Sequence, residues 1–167
     1  MPIVVFYRHF PSRAREAAIE HLSLTHLGQK MAMAAELLVN LLLEVLSGKP
    51  LREVLIQQIQ DQKNPLYGHP YREWLAESDQ KVVGMHLSTA CYVEESVPSV
   101  LYLALKYHDE PEQGLIVNTN LGGDNVYRGA VLGSLLGAGN GLEAFPPRWV
   151  KGLRQPPPDL DLRGPAK

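Results

Sequence analysis

The feature that most constrains the fold is a long apolar run at residues 31–46. One helical face of this run carries Met31, Ala34, Ala35, Leu38, Leu41, Leu42 and Val45, and Leu37, Leu43 and Leu46 widen that face. Apolar residues at this spacing predict a helix that is buried on several sides. Because the run also contains Glu36, Asn40 and Glu44, it is too short and too polar to span a bilayer.

The rest of the chain has the composition of further helices. We predict helices and no strand, which gives an all-α fold arranged as an orthogonal multi-helix bundle. The other predicted helices cover 12–26, 51–59, 71–80, 94–107, 111–118, 124–138 and 146–153, with Ser12 as an N-cap. Pro98 fits only if it lies in the first turn of its helix. Residues 82–92 remain open between an extended and an irregular conformation.

Small residues form a stripe along the predicted helix at 124–138. Gly129, Gly133 and Gly137 recur every four residues, with Ala130, Ser134 and Ala138 beside them. Because each glycine costs about 1 kcal/mol in a helix interior, the stripe calls for a structural reason. We predict that it allows another helix to approach closely within a tight bundle.

Composition sets limits on the class of protein. The chain has 167 residues, which suits one domain at residues 1–154, followed by a flexible proline-rich tail at 155–167. A net charge of −2 gives no electrostatic support for nucleic-acid binding. A single cysteine cannot form an internal disulfide, so we expect a reducing, cytoplasmic environment and no membrane association.

The turn at residues 120–125 is the first candidate site. Gly122 and Gly123 let the backbone approach a ligand, and the following helix start favours an anion. Asp124 has two possible roles: the commoner one is to cap the helix, and the other is to bind a hard cation such as Mg²⁺.

The other candidate residues have simpler explanations from the residues alone. His26 after Thr25 fits a helix C-terminus or a packed surface position, and Glu95 or Ser96 fits the cap of the next helix. Cys91 has no basic neighbour in sequence that would make it a nucleophile. The pattern assigns no catalytic residue.

Several motifs together resemble the C-terminal half of the ADP-ribosylglycohydrolase family. Residues 91–141 contain its Glu-Ser-x-Pro helix start and its Gly-Gly-Asp turn before a glycine-striped helix. The closing motif Phe-Pro-Pro-Arg-Trp-Val follows at 145–150. Upstream, a Thr-His pair at 25–26 and a Gly-Lys-Pro-Leu turn at 48–51 lie in the family's order. The resemblance covers about residues 1–154.

The resemblance implies an all-α hydrolase that removes ADP-ribose from modified substrates through a two-Mg²⁺ centre. It places Asp124 as a metal ligand, with His26 and Cys91 beside the bound ADP-ribose. The family's second aspartate and its threonine fall on Val126 and Tyr127, which cannot supply oxygen ligands of the kind Mg²⁺ requires. The family's other acidic cluster would precede Met1, so we expect a fold incomplete at its N-terminus.

Three interpretations follow from these departures. The chain is a fragment of an active hydrolase, a catalytically silent domain that holds an ADP-ribose-like ligand weakly, or an all-α interaction module without a ligand. In each case we expect core-facing residues of the two long helices to be exposed and covered by a partner or by a second copy.

Overall fold

A computed structural model describes residues 1–60, 66 and 68–154, and this part of the chain is helical with no strand. The helices are α1 (Pro2–Phe6), α2 (Pro11–Ser23), α3 (Gln29–Leu46), α4 (Leu51–Ile59), α5 (Tyr71–Trp74), α6 (Asp79–Val82), α7 (Val93–Lys106), α8 (Pro111–Asn120), α9 (Asn125–Asn140) and α10 (Pro147–Lys151). A 3₁₀ turn, Leu142–Ala144, precedes α10. The predicted all-α fold is therefore confirmed. The predicted tail at 155–167 lies outside the described residues.

The core is built around α7. This helix contacts α3, α4, α8 and α9, and its residues from Val97 to Leu105 are all buried. A second, smaller core joins α1, α2 and α3 through Val4, Ala14 and Leu42. The long helix predicted from residues 31–46 is confirmed as α3, and it serves both cores. Within the described ranges, no helix combines the length and apolarity that a bilayer crossing requires.

Three local predictions were wrong. Helix α2 begins at Pro11, after Phe10, so Ser12 lies inside the helix instead of capping it. The predicted helix at 71–80 is two short helices, because the Ser78 side chain accepts a hydrogen bond from Lys81 N and starts α6 anew. Pro98 lies in the interior of α7, beyond the first turn, since this helix already begins at Val93. The open segment at 82–92 is irregular, with one isolated bridge between Val83 and Leu87.

A polar cluster fixes α6 to α7. The Asp79 carboxylate accepts hydrogen bonds from Lys106 Nζ at 2.9 Å and from the Tyr102 and Tyr107 hydroxyls at 2.8 Å. Burial opposes the charge on Asp79, but these three hydrogen bonds outweigh it and hold the pKa of the carboxyl group below its usual value. Lys106 also donates to the carbonyl of Glu77, so the lysine holds the end of the α5–α6 linker as well as the first residue of α6.

At Gly129 the glycine stripe on α9 allows α8 to approach closely, as predicted, but Gly133 and Gly137 leave room for a side chain. A Cβ at Gly129 would lie 2.8 Å from Asn118 Nδ2, whereas the nearest atom to a Cβ at Gly133 or Gly137 would be 3.7 Å away. Within the stripe, Gly129 is therefore the position where a larger residue would overlap with a neighbour, and that neighbour is a polar side chain of α8. Gly139, outside the stripe, also needs its small size, because its Cβ would lie 2.9 Å from Leu51 Cβ.

The expected exposure of core-facing residues on α3 and α9 does not occur. The large exposed hydrophobic side chains among the described residues include none on α3, and on α9 only Val126 and Tyr127 in the first turn. Leu132, Leu135 and Leu136 of α9 are fully buried. The exposed apolar residues instead lie mostly in loops and near helix ends, as with Leu24, Leu27 and Tyr92.

Candidate functional site

The three residues singled out by sequence line one cavity. Its volume is about 480 Å³, which falls in the usual range for a small-molecule site. The α2–α3 loop contributes His26, the loop before α7 contributes Cys91, and the start of α9 contributes Asp124. The remaining wall is made by residues of α3, α7 and α9: Leu38, Ser96, Val97, Val100, Tyr127, Arg128 and Val131.

The position of His26 follows from how α2 ends and α3 begins. His26 N donates to the carbonyl of Leu22, and the Thr25 hydroxyl lies 2.8 Å from His26 Nδ1. Gly28, with φ of 135°, then occupies the N-cap position of α3. Just beyond it, Lys30 forms an ion pair with Glu94 at the start of α7. The exposed imidazole is thereby held at the mouth of the cavity.

The Cys91 loop is hydrogen-bonded to two helix starts. Glu95 in the first turn of α7 accepts a hydrogen bond from Ser88 N at 2.7 Å, so it stabilises the preceding loop. The predicted cap by Glu95 or Ser96 is wrong, because Tyr92 occupies the N-cap position and no side chain caps α7. On the other side, Thr89 O accepts a hydrogen bond from Asp124 N at 2.9 Å. Cys91 is exposed.

Gly123 allows the Cys91 loop and the α9 turn to meet. Its φ is +62°, and a Cβ there would lie 2.3 Å from the carbonyl oxygen of Thr89. Any side chain would force the two segments apart, and with them Cys91 and Asp124. The glycine predicted to let the backbone approach a ligand is thus required first for contact within the protein.

Asp124 occupies the N-cap position of α9, but its side chain makes no capping hydrogen bond. The commoner of the two roles considered for it, a side-chain cap, is therefore not the one observed. Its side chain lines the cavity, and it carries the one carboxylate among the residues that form the described wall. The carboxylate is available to a ligand.

Arg128 is the cavity residue that the sequence analysis missed. It is 2% exposed, and its Nε donates to Asn118 Oδ1 at 2.7 Å. One terminal nitrogen, Nη2, donates to the carbonyls of Asn118 and Gly122. Burial lowers the pKa of the guanidinium, and the nearby Asp124 charge works against that shift. Its sequence signal was a charged residue in register with the buried Leu132 and Leu135 of α9.

The described residues of the cavity wall do not offer the ligands of a metal centre. No group of three or more histidine, cysteine or acidic side chains within residues 1–60, 66 and 68–154 is arranged to hold a metal ion. Val126 and Tyr127, which the sequence resemblance matched to two metal-ligand positions, are both 75% exposed. One carboxylate beside a buried guanidinium is a poor environment for two divalent cations.

Comparison with known proteins gives one result. The family model described as ADP-ribosylglycohydrolase matches residues 1–164. The match covers essentially the whole chain and extends beyond the range of about 1–154 expected from the motifs. No curated protein and no solved structure matches the chain.

Proposed function

Because the chain belongs to the ADP-ribosylglycohydrolase family, we propose that it binds ADP-ribose, free or attached to a modified substrate, in this cavity. The family is one of hydrolases. We further propose that this chain hydrolyses the linkage weakly or not at all. The catalytic side chains are not assigned.

The observation that carries the proposal is the convergence of His26, Cys91 and Asp124 on one cavity. The family resemblance picked out these residues from three separate segments of the sequence. The chain brings the segments together through the Lys30–Glu94 ion pair and the Thr89–Asp124 backbone hydrogen bond. A chance set of three surface residues would have no reason to line the same 480 Å³ cavity.

We expect weak hydrolysis because the cavity wall has few side chains that could bind metal ions. The two-Mg²⁺ centre suggested by family membership does not fit these residues, because Asp124 is the one carboxylate in the described wall. Two neighbouring dications require several anionic ligands to offset their repulsion. The residues of this wall therefore support no hydrolytic step through such a centre.

The sole cysteine makes the binding test specific. Cys91 is exposed and lines the cavity, so a thiol-alkylating reagent reports on this site alone. We expect ADP-ribose to slow alkylation of Cys91, measured by intact-protein mass spectrometry, and calorimetric titration to give the affinity. An alkylation rate and a calorimetric signal both unchanged at saturating ADP-ribose would refute the proposed function.

Two histidine variants provide a matched comparison. His26→Ala removes a side chain from the cavity wall, and we expect about two- to tenfold weaker ADP-ribose binding, equivalent to one neutral hydrogen bond. His21→Ala removes an exposed histidine from α2 that does not line the cavity, and we expect no change. Equal affinities for the two variants would mean that ADP-ribose binds elsewhere.

The second candidate is a non-catalytic binding or interaction domain. The observation that favours it is the exposed apolar rim near the cavity, formed by Tyr127 with Val126 beside it. A release assay on an ADP-ribosylated protein, with Mg²⁺ present, separates the two candidates. Turnover above the buffer rate identifies a hydrolase, and binding without turnover identifies a silent domain.

A further inference from the structure

The start of α9 presents positive charge to the cavity from two independent sources. The first is the helix itself, whose N-terminal amides lack a side-chain cap because Asp124 makes no capping bond. The second is the guanidinium of Arg128, a permanent cation that is 2% exposed. No carboxylate lies within ion-pair distance of Arg128 in the described part of the chain.

One nitrogen of that guanidinium remains available. Nε and Nη2 make all the hydrogen bonds of Arg128 to described residues, and Nη1 makes none. No fully buried side-chain nitrogen in these ranges lacks a partner, so Nη1 must retain contact with open space. Arg128 lines the cavity, which supplies that space.

We propose that Arg128 is the cation of this site and that it binds the phosphate of a sugar-phosphate ligand without a divalent metal. The proposal rests on the proposed function, since it concerns the same cavity and names the part of ADP-ribose that the guanidinium contacts. The hydrogen bonds that the guanidinium donates to Asn118 and Gly122 fix its plane, so its remaining donor is aligned before the ligand arrives.

Asp124 has the complementary task. Its carboxylate accepts hydrogen bonds, so it suits the hydroxyl groups of a ribose and repels a phosphate. A ligand with hydroxyls at one end and a phosphate at the other satisfies both charged groups of the wall. Inorganic phosphate alone would be attracted by Arg128 and repelled by Asp124.

The test is an NMR titration of the full chain in EDTA, following the amide signals of residues 122–128. We expect ribose 5-phosphate to shift these signals and ribose to bind at least about tenfold more weakly, because it lacks the charge-assisted contact. Added Mg²⁺ should leave the affinity for ribose 5-phosphate unchanged. Binding that requires Mg²⁺, or no binding of ribose 5-phosphate in EDTA, would overturn the proposal.

The Asp124→Asn variant gives the sharpest discrimination. Its side chain is isosteric and caps nothing, so the fold should persist. If Arg128 is the cation, removing the opposing charge strengthens binding of inorganic phosphate by about two- to fivefold. If a metal held by Asp124 is the cation, the same change weakens phosphate binding, which is the contrary result.

The guanidinium itself is tested with two lysine variants. Arg128→Lys should weaken ribose 5-phosphate binding by about tenfold or more, whereas Arg52→Lys, on the exposed side of α4, should have no effect. Equal binding by the Arg128→Lys variant with an unchanged melting temperature would contradict the proposal. If Arg128→Lys lowers the melting temperature sharply, its binding loss could reflect unfolding. Phosphate binding by the Asp124→Asn variant then tests the role of Arg128.

The outcomes for the two proposals are separable. ADP-ribose that binds only with Mg²⁺ leaves the proposed function standing and removes the role of Arg128. If ribose 5-phosphate binds in EDTA through Arg128 but ADP-ribose does not bind, the role of Arg128 stands and the proposed function fails.

Discussion

Two alanine substitutions on the same helix should change stability in opposite directions. Gly133→Ala adds a Cβ at 3.7 Å from Leu115, an ordinary contact, and replaces a poor helix former. We expect it to stabilise the protein by about 0.5–1 kcal/mol. Gly129→Ala gains the same propensity but places its Cβ 2.8 Å from Asn118 Nδ2.

The Asn118 amide cannot move away without loss. It is 2% exposed, donates to the carbonyl of Asn125 at 2.9 Å and accepts from Arg128 Nε at 2.7 Å. A neutral hydrogen bond contributes about 1 kcal/mol and a charged one about 1.5–3 kcal/mol. After subtraction of the helix propensity gain of about 1 kcal/mol, we expect Gly129→Ala to destabilise the protein by about 1–3 kcal/mol.

Urea and thermal unfolding followed by circular dichroism would measure both variants. For a chain of this size each kcal/mol moves the melting temperature by about 2–4 °C, so the two variants should differ by several degrees. A Gly129→Ala variant as stable as Gly133→Ala would refute the steric role of Asn118. Loss of stability in Gly133→Ala would refute the assignment of an ordinary contact there.

Three further outcomes are expected. Asp79→Asn should lower the free energy of unfolding at pH 7 by about 1–3 kcal/mol, measured in urea, because Lys106 loses its charged acceptor. Since the pKa of Asp79 is held low in the folded state, that difference should persist above about pH 4 and disappear as acid protonates the wild-type carboxylate; a constant difference down to pH 2 would contradict it. Gly123→Ala should weaken ADP-ribose binding more than Gly122→Ala, whose Cβ meets nothing within 4 Å, although both have positive φ. Gly139→Ala should lower the melting temperature through its overlap with Leu51, and a melting temperature equal to that of wild type would show that α4 moves aside freely.

Helical periodicity was enough to predict the fold class. The apolar stripe of α3 and the buried face of α7 both follow from spacing, because their apolar residues repeat with the helical turn. Boundaries failed where a local polar bond decided the structure. Ser78 restarts a helix through one hydrogen bond to Lys81 N, a detail that composition does not carry.

The site was only partly predictable. Nothing in the spacing of His26, Cys91 and Asp124 brings them together, and the family resemblance supplied that grouping. Arg128 was missed because a single charge on an apolar face is usually a solvated exception, and its acceptors at Asn118 and Gly122 come from the preceding helix and turn. The glycine stripe was visible in the sequence. The reason why Gly129 must lack a Cβ is the side-chain amide of Asn118 on α8, and the sequence of α9 alone does not reveal that contact.

The contacts that assemble the cavity also set when it can form during synthesis. The Lys30–Glu94 pair joins residues 64 positions apart, and the Cys91 loop acquires its second anchor only from Asp124. A growing chain that has left the ribosome only as far as α7 contains His26 and Cys91 but lacks the part of the cavity wall that α9 contributes. The pocket therefore comes into being late, once α9 has docked against α7, and ligand binding would trap the last long-range step of folding.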